Sequence, residues 1–190
     1  MTSTDADVKY MSLALELAEK GRGKVEPNPM VGAVVVKNGL AVGMGYHQAF
    51  GGAHAEVFAL GEGGEACVGD TLYVSMEPCA HYGKTAPCVD AIVKAGIKEV
   101  VIAIIDPNPI TSGKGMRKLQ DAGIDVKLGV MESQAAKLND TGGLPINNAL
   151  TIYPYSDVET LLKKESAGGD KVPLPGPGDK PCTERPDKKP

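Results

Sequence analysis

Apolar residues recur at two periods between Val8 and Leu138, and the switches between the periods mark out the elements. Val8, Met11, Leu15 and Ala18 stand at helical spacing after the capping candidates Thr4 and Asp5, and Gly21 closes the segment, which predicts a first amphipathic helix. In VGAVVVKNGLAVGMGY, β-branched residues flank Asn38-Gly39, a dipeptide that readily takes the positive φ angles of a tight hairpin turn, so two antiparallel strands are expected. There follow a helix from about His54 to Leu60, a strand TLYVS, a helix from Pro87 to Ala95 and a strand EVVIAII. A helix ending at Gly123, a strand IDVKLGV and a last helix from Glu132 to Leu138 complete the pattern. Such alternation implies right-handed parallel crossovers. The expected class is α/β, a three-layer α/β/α sandwich on a mixed five-strand sheet.

Beyond Asp140 the pattern changes. Eight of the 14 prolines fall between Gly143 and Pro190, with no alternation from which to build a sheet. SDVETLLKKE reads as a short helix with Ser156 and Glu159 as a capping box, while the stretch from Gly168 onward lacks the apolar content to offset the entropy of ordering. The expected organisation is a domain over residues 1–140 and a proline-rich, partly disordered tail over residues 141–190.

Composition narrows the function. At 190 residues and 42% hydrophobic content the chain suits one domain with a real core. A net charge of −4 offers none of the diffuse basic surface that drives nucleic-acid binding, so a small-molecule partner is expected and nucleic acid is not. MTSTDADVKY has no basic segment followed by an apolar one, and no apolar run approaches the ~20 residues that span a bilayer. A cytoplasmic protein without a membrane partner is expected, with a homo-oligomer left open. Cys67, Cys79, Cys88 and Cys182 are enough for two disulfides, but without a secretory signal reduced thiols or metal ligands are the expectation.

Candidate chemistry is concentrated before residue 110. AHAEVFAL sets His54 two residues before Glu56, and apolar Val57, Ala59 and Leu60 point the segment toward a core, where an unpaired carboxylate costs several kcal/mol. A metal is one compensation. All three histidines, His47, His54 and His81, lie in the same region as Cys79 and Cys88, each of the two thiols at or just beyond the end of an element. One imidazole and two thiols leave zinc an open position, as catalytic zinc sites require for a water whose pKa the metal lowers. Glu56 stands where it can move protons. His47 reads equally as a hydrogen-bonded turn residue. Asp106-Pro107-Asn108-Pro109 is a turn by its residue types, yet the carboxyl end of a parallel strand is also where α/β sheets place ligands.

His-x-Glu followed by Pro-Cys and a second Cys matches the zinc nucleobase-deaminase signature, with eight residues, AHYGKTAP, between the thiols where the general signature has two. PNPMVGAVVV, GYHQAFGGAHAEVFAL, EPCAHYGKTAPC and IDPNP in this order resemble the riboflavin-biosynthesis pyrimidine deaminases, over roughly Val8 to Leu138. The resemblance implies a cytidine-deaminase-like α/β/α sandwich and hydrolytic deamination of 2,5-diamino-6-ribosylamino-4-pyrimidinone 5′-phosphate. It implies zinc on His54, Cys79 and Cys88 and Glu56 as proton shuttle. Asn28, His47, His81, Lys84, Asp106 and Asn108 match positions that would line the base, ribose or phosphate pocket. Ala86 stands where the family usually has proline, a change that removes stiffness but no ligand. Many bacterial members continue into a reductase domain, for which residues 141–190 are too few, so a stand-alone deaminase is expected.

Two other readings use the same residues. Deamination of another nucleobase or nucleoside, or of a tRNA adenosine, should prefer the short Cys-x-x-Cys loop, and RNA would want more basic surface. A silent zinc scaffold acting through the tail predicts loss of Glu56 or of a ligand, and all four are present.

Overall fold

The computed structural model describes residues 3–82, 86–108 and 111–140. Lys84, Pro109, Cys182 and the 141–190 tail with its Ser156/Glu159 capping box lie outside the described residues. In order, the elements are α1 (Asp5–Glu19), β1 (Gly32–Lys37), β2 (Leu40–Tyr46), α2 (Ala55–Gly63), β3 (Thr71–Met76), α3 (Cys88–Lys94), β4 (Glu99–Ile104), α4 (Lys114–Asp121), β5 (Asp125–Leu128) and α5 (Glu132–Leu138), with a 3-10 turn at Gly64–Cys67. The sheet runs β2-β1-β3-β4-β5, with β1 antiparallel to both neighbours and β3, β4 and β5 parallel. The mixed five-strand α/β expectation holds. Among the described residues no helix is long and apolar enough to cross a membrane.

Alternating residues of each central strand feed opposite sides of the sheet. Ala33, Val35, Leu72, Val74, Val100 and Ile102 pack with Ala55, Ala59 and Leu60 of α2, Val89 and Ile92 of α3 and Leu119 of α4. Val34, Val36, Tyr73, Val101 and Ala103 pack with Tyr10, Met11, Ala14 and Leu17 of α1 and Ala135 of α5. These two cores make the three layers.

Local chemistry sets the element ends. Thr4 caps α1 as half of a capping box with Asp7, and Asn38 and Gly39 take φ of 50° and 77° in the β1–β2 turn. The buried stripe of α1 is Asp7, Tyr10, Met11, Ala14, Leu17 and Ala18, rotated from the sequence expectation: Val8 is 44% exposed. The rotation has a cause, because Asp7 accepts hydrogen bonds from Tyr73 Oη and Lys127 Nζ and so draws a polar side chain inward. Gly45 seats α2 on β2: a Cβ there would lie 2.3 Å from the Ala55 carbonyl oxygen. Close seating fixes the face of α2, so Ala59 and Leu60 point inward as expected, but Val57 turns to solvent at 40% exposure.

Topology gathers the chemistry at one end. Because β1 is antiparallel to both β2 and β3, the ends of β2, β3 and β4 and the start of β1 all face the same way. The segments bearing Asn28, His47, His54, Cys79 and Asp106 leave or enter the sheet there, outside the carboxyl ends of the parallel strands.

Candidate active site

His54 is the N-cap residue of α2, a position usually held by a side chain that accepts from the helix amides. Its imidazole makes no such cap and turns instead toward two thiols. His54 Nδ1 lies 3.2 Å from Cys88 Sγ and 3.5 Å from Cys79 Sγ, and the ligand atoms of His54, Cys79 and Cys88 all lie within 4.8 Å of one another. Cys79 follows β3 and Cys88 opens α3, with Pro87 before it as the cap residue. The start of α3 is in turn satisfied by Cys79. The Cys88 amide donates to Cys79 Sγ at 3.3 Å and the Val89 amide to the Cys79 carbonyl at 3.2 Å, so the two thiol residues are stitched together at the neck of the loop between them. Hydrogen bonding from Cys88 holds the Cys79 thiol well below its ordinary range despite burial, with help from His54, while the same contact, burial and the Glu56 charge drive Cys88 up.

Glu56 lies in the first turn of α2 and is 3% exposed. Among the described residues, its Oε2 is the buried side-chain polar atom without a hydrogen-bond partner. Burial first, then the neighbouring Cys79 charge, pushes its carboxyl up to about 7. A buried carboxyl with one oxygen unpartnered, beside a nitrogen–sulfur donor set, is a fit for zinc, which takes these donors and keeps a position open when it has three. The free thiols of Cys79 and Cys88 agree with the expectation of reduced ligands, and buried Cys67 is spent inside the fold, its sulfur against the Leu60 carbonyl.

His47 is 3% exposed and sits edge-on to His54, with ring centroids 5.5 Å apart. Its Nδ1 donates to the Ala53 carbonyl at 3.0 Å, which leaves Nε2 to accept from Asn28 Nδ2 at 3.1 Å. Burial, partly countered by the Ala53 bond, pushes it down from its ordinary value. Asn28 and His47 are therefore brought together beside His54. His81 is exposed, and Lys84 lies outside the described residues. Asp106 is half-buried and closes its own turn, accepting from the Asn108 amide at 2.9 Å and from Thr111 Oγ1 at 2.5 Å.

Two residues escaped the sequence reading. Glu77, two positions before Cys79, is 6% exposed and accepts from the amides of Asp106, Gly113 and Met116. Asn139 exchanges two hydrogen bonds with the backbone of Met30. The only sequence signal for Glu77 was its place beside Pro78-Cys79. Asn139 carried none.

A His-Cys-Cys donor set at the carboxyl edge of a mixed sheet, with a buried carboxyl two residues beyond the imidazole, defines a zinc protein of the nucleobase-deaminase type. Residues 4–104 match the family described as the cytidine and deoxycytidylate deaminase zinc-binding region. The chain is 57% identical over 136 residues to riboflavin biosynthesis protein RibD of Aquifex aeolicus, covering 72% of this chain and 38% of that protein. It is 48% identical over 130 residues to the diaminohydroxyphosphoribosylamino-pyrimidine deaminase of Buchnera aphidicola, covering 68% of this chain and 88% of that one. The solved structure of Acinetobacter baumannii RibD, form 1, is similar with a TM-score of 0.70 and 51% identity, over 70% of this chain and 38% of that one. The chain belongs to the riboflavin-biosynthesis pyrimidine deaminase family, and spans little more than a third of the length of the RibD relative from Aquifex.

Proposed function

We propose that this chain hydrolytically deaminates 2,5-diamino-6-ribosylamino-4-pyrimidinone 5′-phosphate, taking up one water and releasing one ammonia. The observation that carries the reading is the buried Glu56 carboxyl, unpartnered at Oε2 and pushed up to about 7 beside the His54, Cys79 and Cys88 donors. The Buchnera relative, of which the chain covers 88%, supports the substrate class by its name.

His54, Cys79 and Cys88 would hold zinc, which when bound would supply a Lewis acid at this end of the sheet. Glu56 takes a proton from the attacking water as oxygen adds to the amino-bearing ring carbon. It then delivers a proton to the departing nitrogen, so that the C–N bond breaks and a carbonyl remains. A carboxyl that titrates near neutrality is suited to both transfers, since neither protonation state is far from reach. Burial of Glu56 keeps bulk water from competing for that proton. His47, with both ring nitrogens engaged, orients Asn28 and packs edge-on against the His54 ring. Asn28, Asp106 and Asn108 address the base and ribose, and His81 and Lys84 on the long loop address the phosphate end.

In this reading residues 1–140 are the deaminase domain and 141–190 an appended tail. The cytoplasm is the assigned compartment because Cys79 and Cys88 must stay reduced to take metal. Purified protein is incubated with the ribosylaminopyrimidine phosphate, cytidine, guanine and adenosine, with ammonia as the readout. Release from the first alone is expected, and release from another in its place overturns the assignment. Lys84→Ala is expected to lower kcat/KM on the phosphate ester by roughly ten- to a hundredfold at unchanged zinc content, and equal kcat/KM rejects its role.

A further inference from the structure

Helix α4 begins without the usual aids. Its N-cap residue is Gly113, which has no side chain to offer, and its first turn contains no acidic residue. The missing carboxylate arrives from a distant part of the chain. Glu77 Oε2 accepts from the Gly113 amide at 2.9 Å and Oε1 from the Met116 amide at 3.1 Å, so the side chain caps α4 from the end of β3. The same Oε2 accepts from the Asp106 amide at 3.1 Å, and the Glu77 amide donates to the Ile104 carbonyl at 2.9 Å.

Packing adds an independent constraint. A Cβ on Gly115 would lie 2.1 Å from the Pro78 carbonyl oxygen, so glycine is what lets the first turn of α4 press on the Glu77-Pro78 backbone. One turn further on, Lys118 Nζ donates to the Ala80 carbonyl at 3.3 Å and lies 3.7 Å from Asp90 of α3. Glu77 therefore sits where three segments meet: the strand end that leads into Cys79, the turn that carries Asp106 and Asn108, and the start of α4.

We infer that Glu77 is a positioning residue that holds the Asp106–Asn108 turn in register with the metal-binding end of β3, and thereby sets substrate affinity without touching substrate or metal. An acidic side chain is suited to this because a carboxylate accepts all three amides, whereas a glutamine turns its NH₂ toward at least one of them. The kinetic part of the inference rests on the proposed deaminase function, and the structural part does not.

The test is Glu77→Gln in the full, zinc-loaded chain, read by amide hydrogen exchange and by steady-state kinetics normalised to bound zinc. Exchange at one or more of the Asp106, Gly113 and Met116 amides should quicken about tenfold or more. KM for the ribosylaminopyrimidine phosphate should rise about tenfold, with kcat within about twofold of the parent and zinc still at one per chain. Gly115→Ala, which displaces the α4 start but leaves the carboxylate in place, should give the same KM-dominated signature and guards against a poorly folded Glu77 variant. Faster exchange with unchanged KM would reduce Glu77 to a structural cap and overturn the inference, as would loss of zinc in step with activity. If the parent does not act on this substrate, the proposed function falls, and unchanged exchange at the three amides would still refute the placement of Glu77.

Discussion

Asn139→Ala should be among the most damaging single changes on the α1–α5 side of the sheet. Its Oδ1 accepts from the Met30 amide at 2.8 Å and its Nδ2 donates to the Met30 carbonyl at 3.1 Å, and both residues are less than a tenth exposed. Alanine removes two hydrogen bonds worth ~1 kcal/mol each and leaves a buried amide and carbonyl without partners, so a loss of about 3 kcal/mol is expected. At ~4 °C per kcal/mol for a domain of this size, the melting temperature should fall by about 12 °C. Aspartate at the same position keeps the acceptor for the Met30 amide but sets an oxygen against the Met30 carbonyl, so it should not rescue. Zinc-loaded parent and variants are compared by thermal unfolding followed by far-ultraviolet circular dichroism. A fall of less than about 3 °C for the alanine variant would refute the reasoning, because it would mean that water replaces Asn139 without penalty.

Glu56→Gln should keep one zinc per chain by elemental analysis while turnover drops by roughly 10²- to 10⁴-fold, since the amide preserves shape but moves no proton; parental turnover would assign Glu56 wrongly. Truncation after Asp140 retains Asn139, the five strands and the five helices, so the melting temperature should change by less than about 4 °C, the equivalent of ~1 kcal/mol. Burial alone would raise the Asp7 carboxyl, but hydrogen bonds from Lys127 and Thr4 outweigh it and hold the group below its ordinary value of 3.8. The stabilisation from Asp7 is therefore full above that value and is lost as pH falls through the lower folded one. Asp7→Asn should cost about 2 kcal/mol in denaturant unfolding at pH 7 and progressively less below pH 4, and an equal cost at both ends would show that charge is not involved.

The order of elements and the His54, Glu56, Cys79 and Cys88 constellation were legible because each is written locally, in period, turn chemistry and spacing. The Asn38-Gly39 turn and the helix from Glu132 to Leu138 are of this kind. Misreadings arose where a distant residue decides the local outcome. The face of α1 follows from Lys127 and Tyr73 reaching Asp7, which no window around Asp7 contains. Val57 sits at a helical position that apolarity alone turned inward, whereas the close approach of α2 to Gly45 fixes which side meets the sheet. Glu77 and Asn139 act through backbone groups, and a backbone amide looks the same in every sequence. The eight-residue spacing between the thiols was visible from the start, but that Cys79 caps α3 was not.

That cap separates two evolutionary problems. Because the Cys88 and Val89 amides close on the sulfur and carbonyl of Cys79, the neck of the loop is held by its own two ends. What lies between them can lengthen, shorten or change residue by residue while the thiols keep their spacing, since the entropy of closing the loop grows only slowly with its length. Metal binding is thus insulated from drift in the segment between the thiols. One anchored metal site is compatible both with the eight residues between the thiols of this chain and with the two of the general Pro-Cys-x-x-Cys signature.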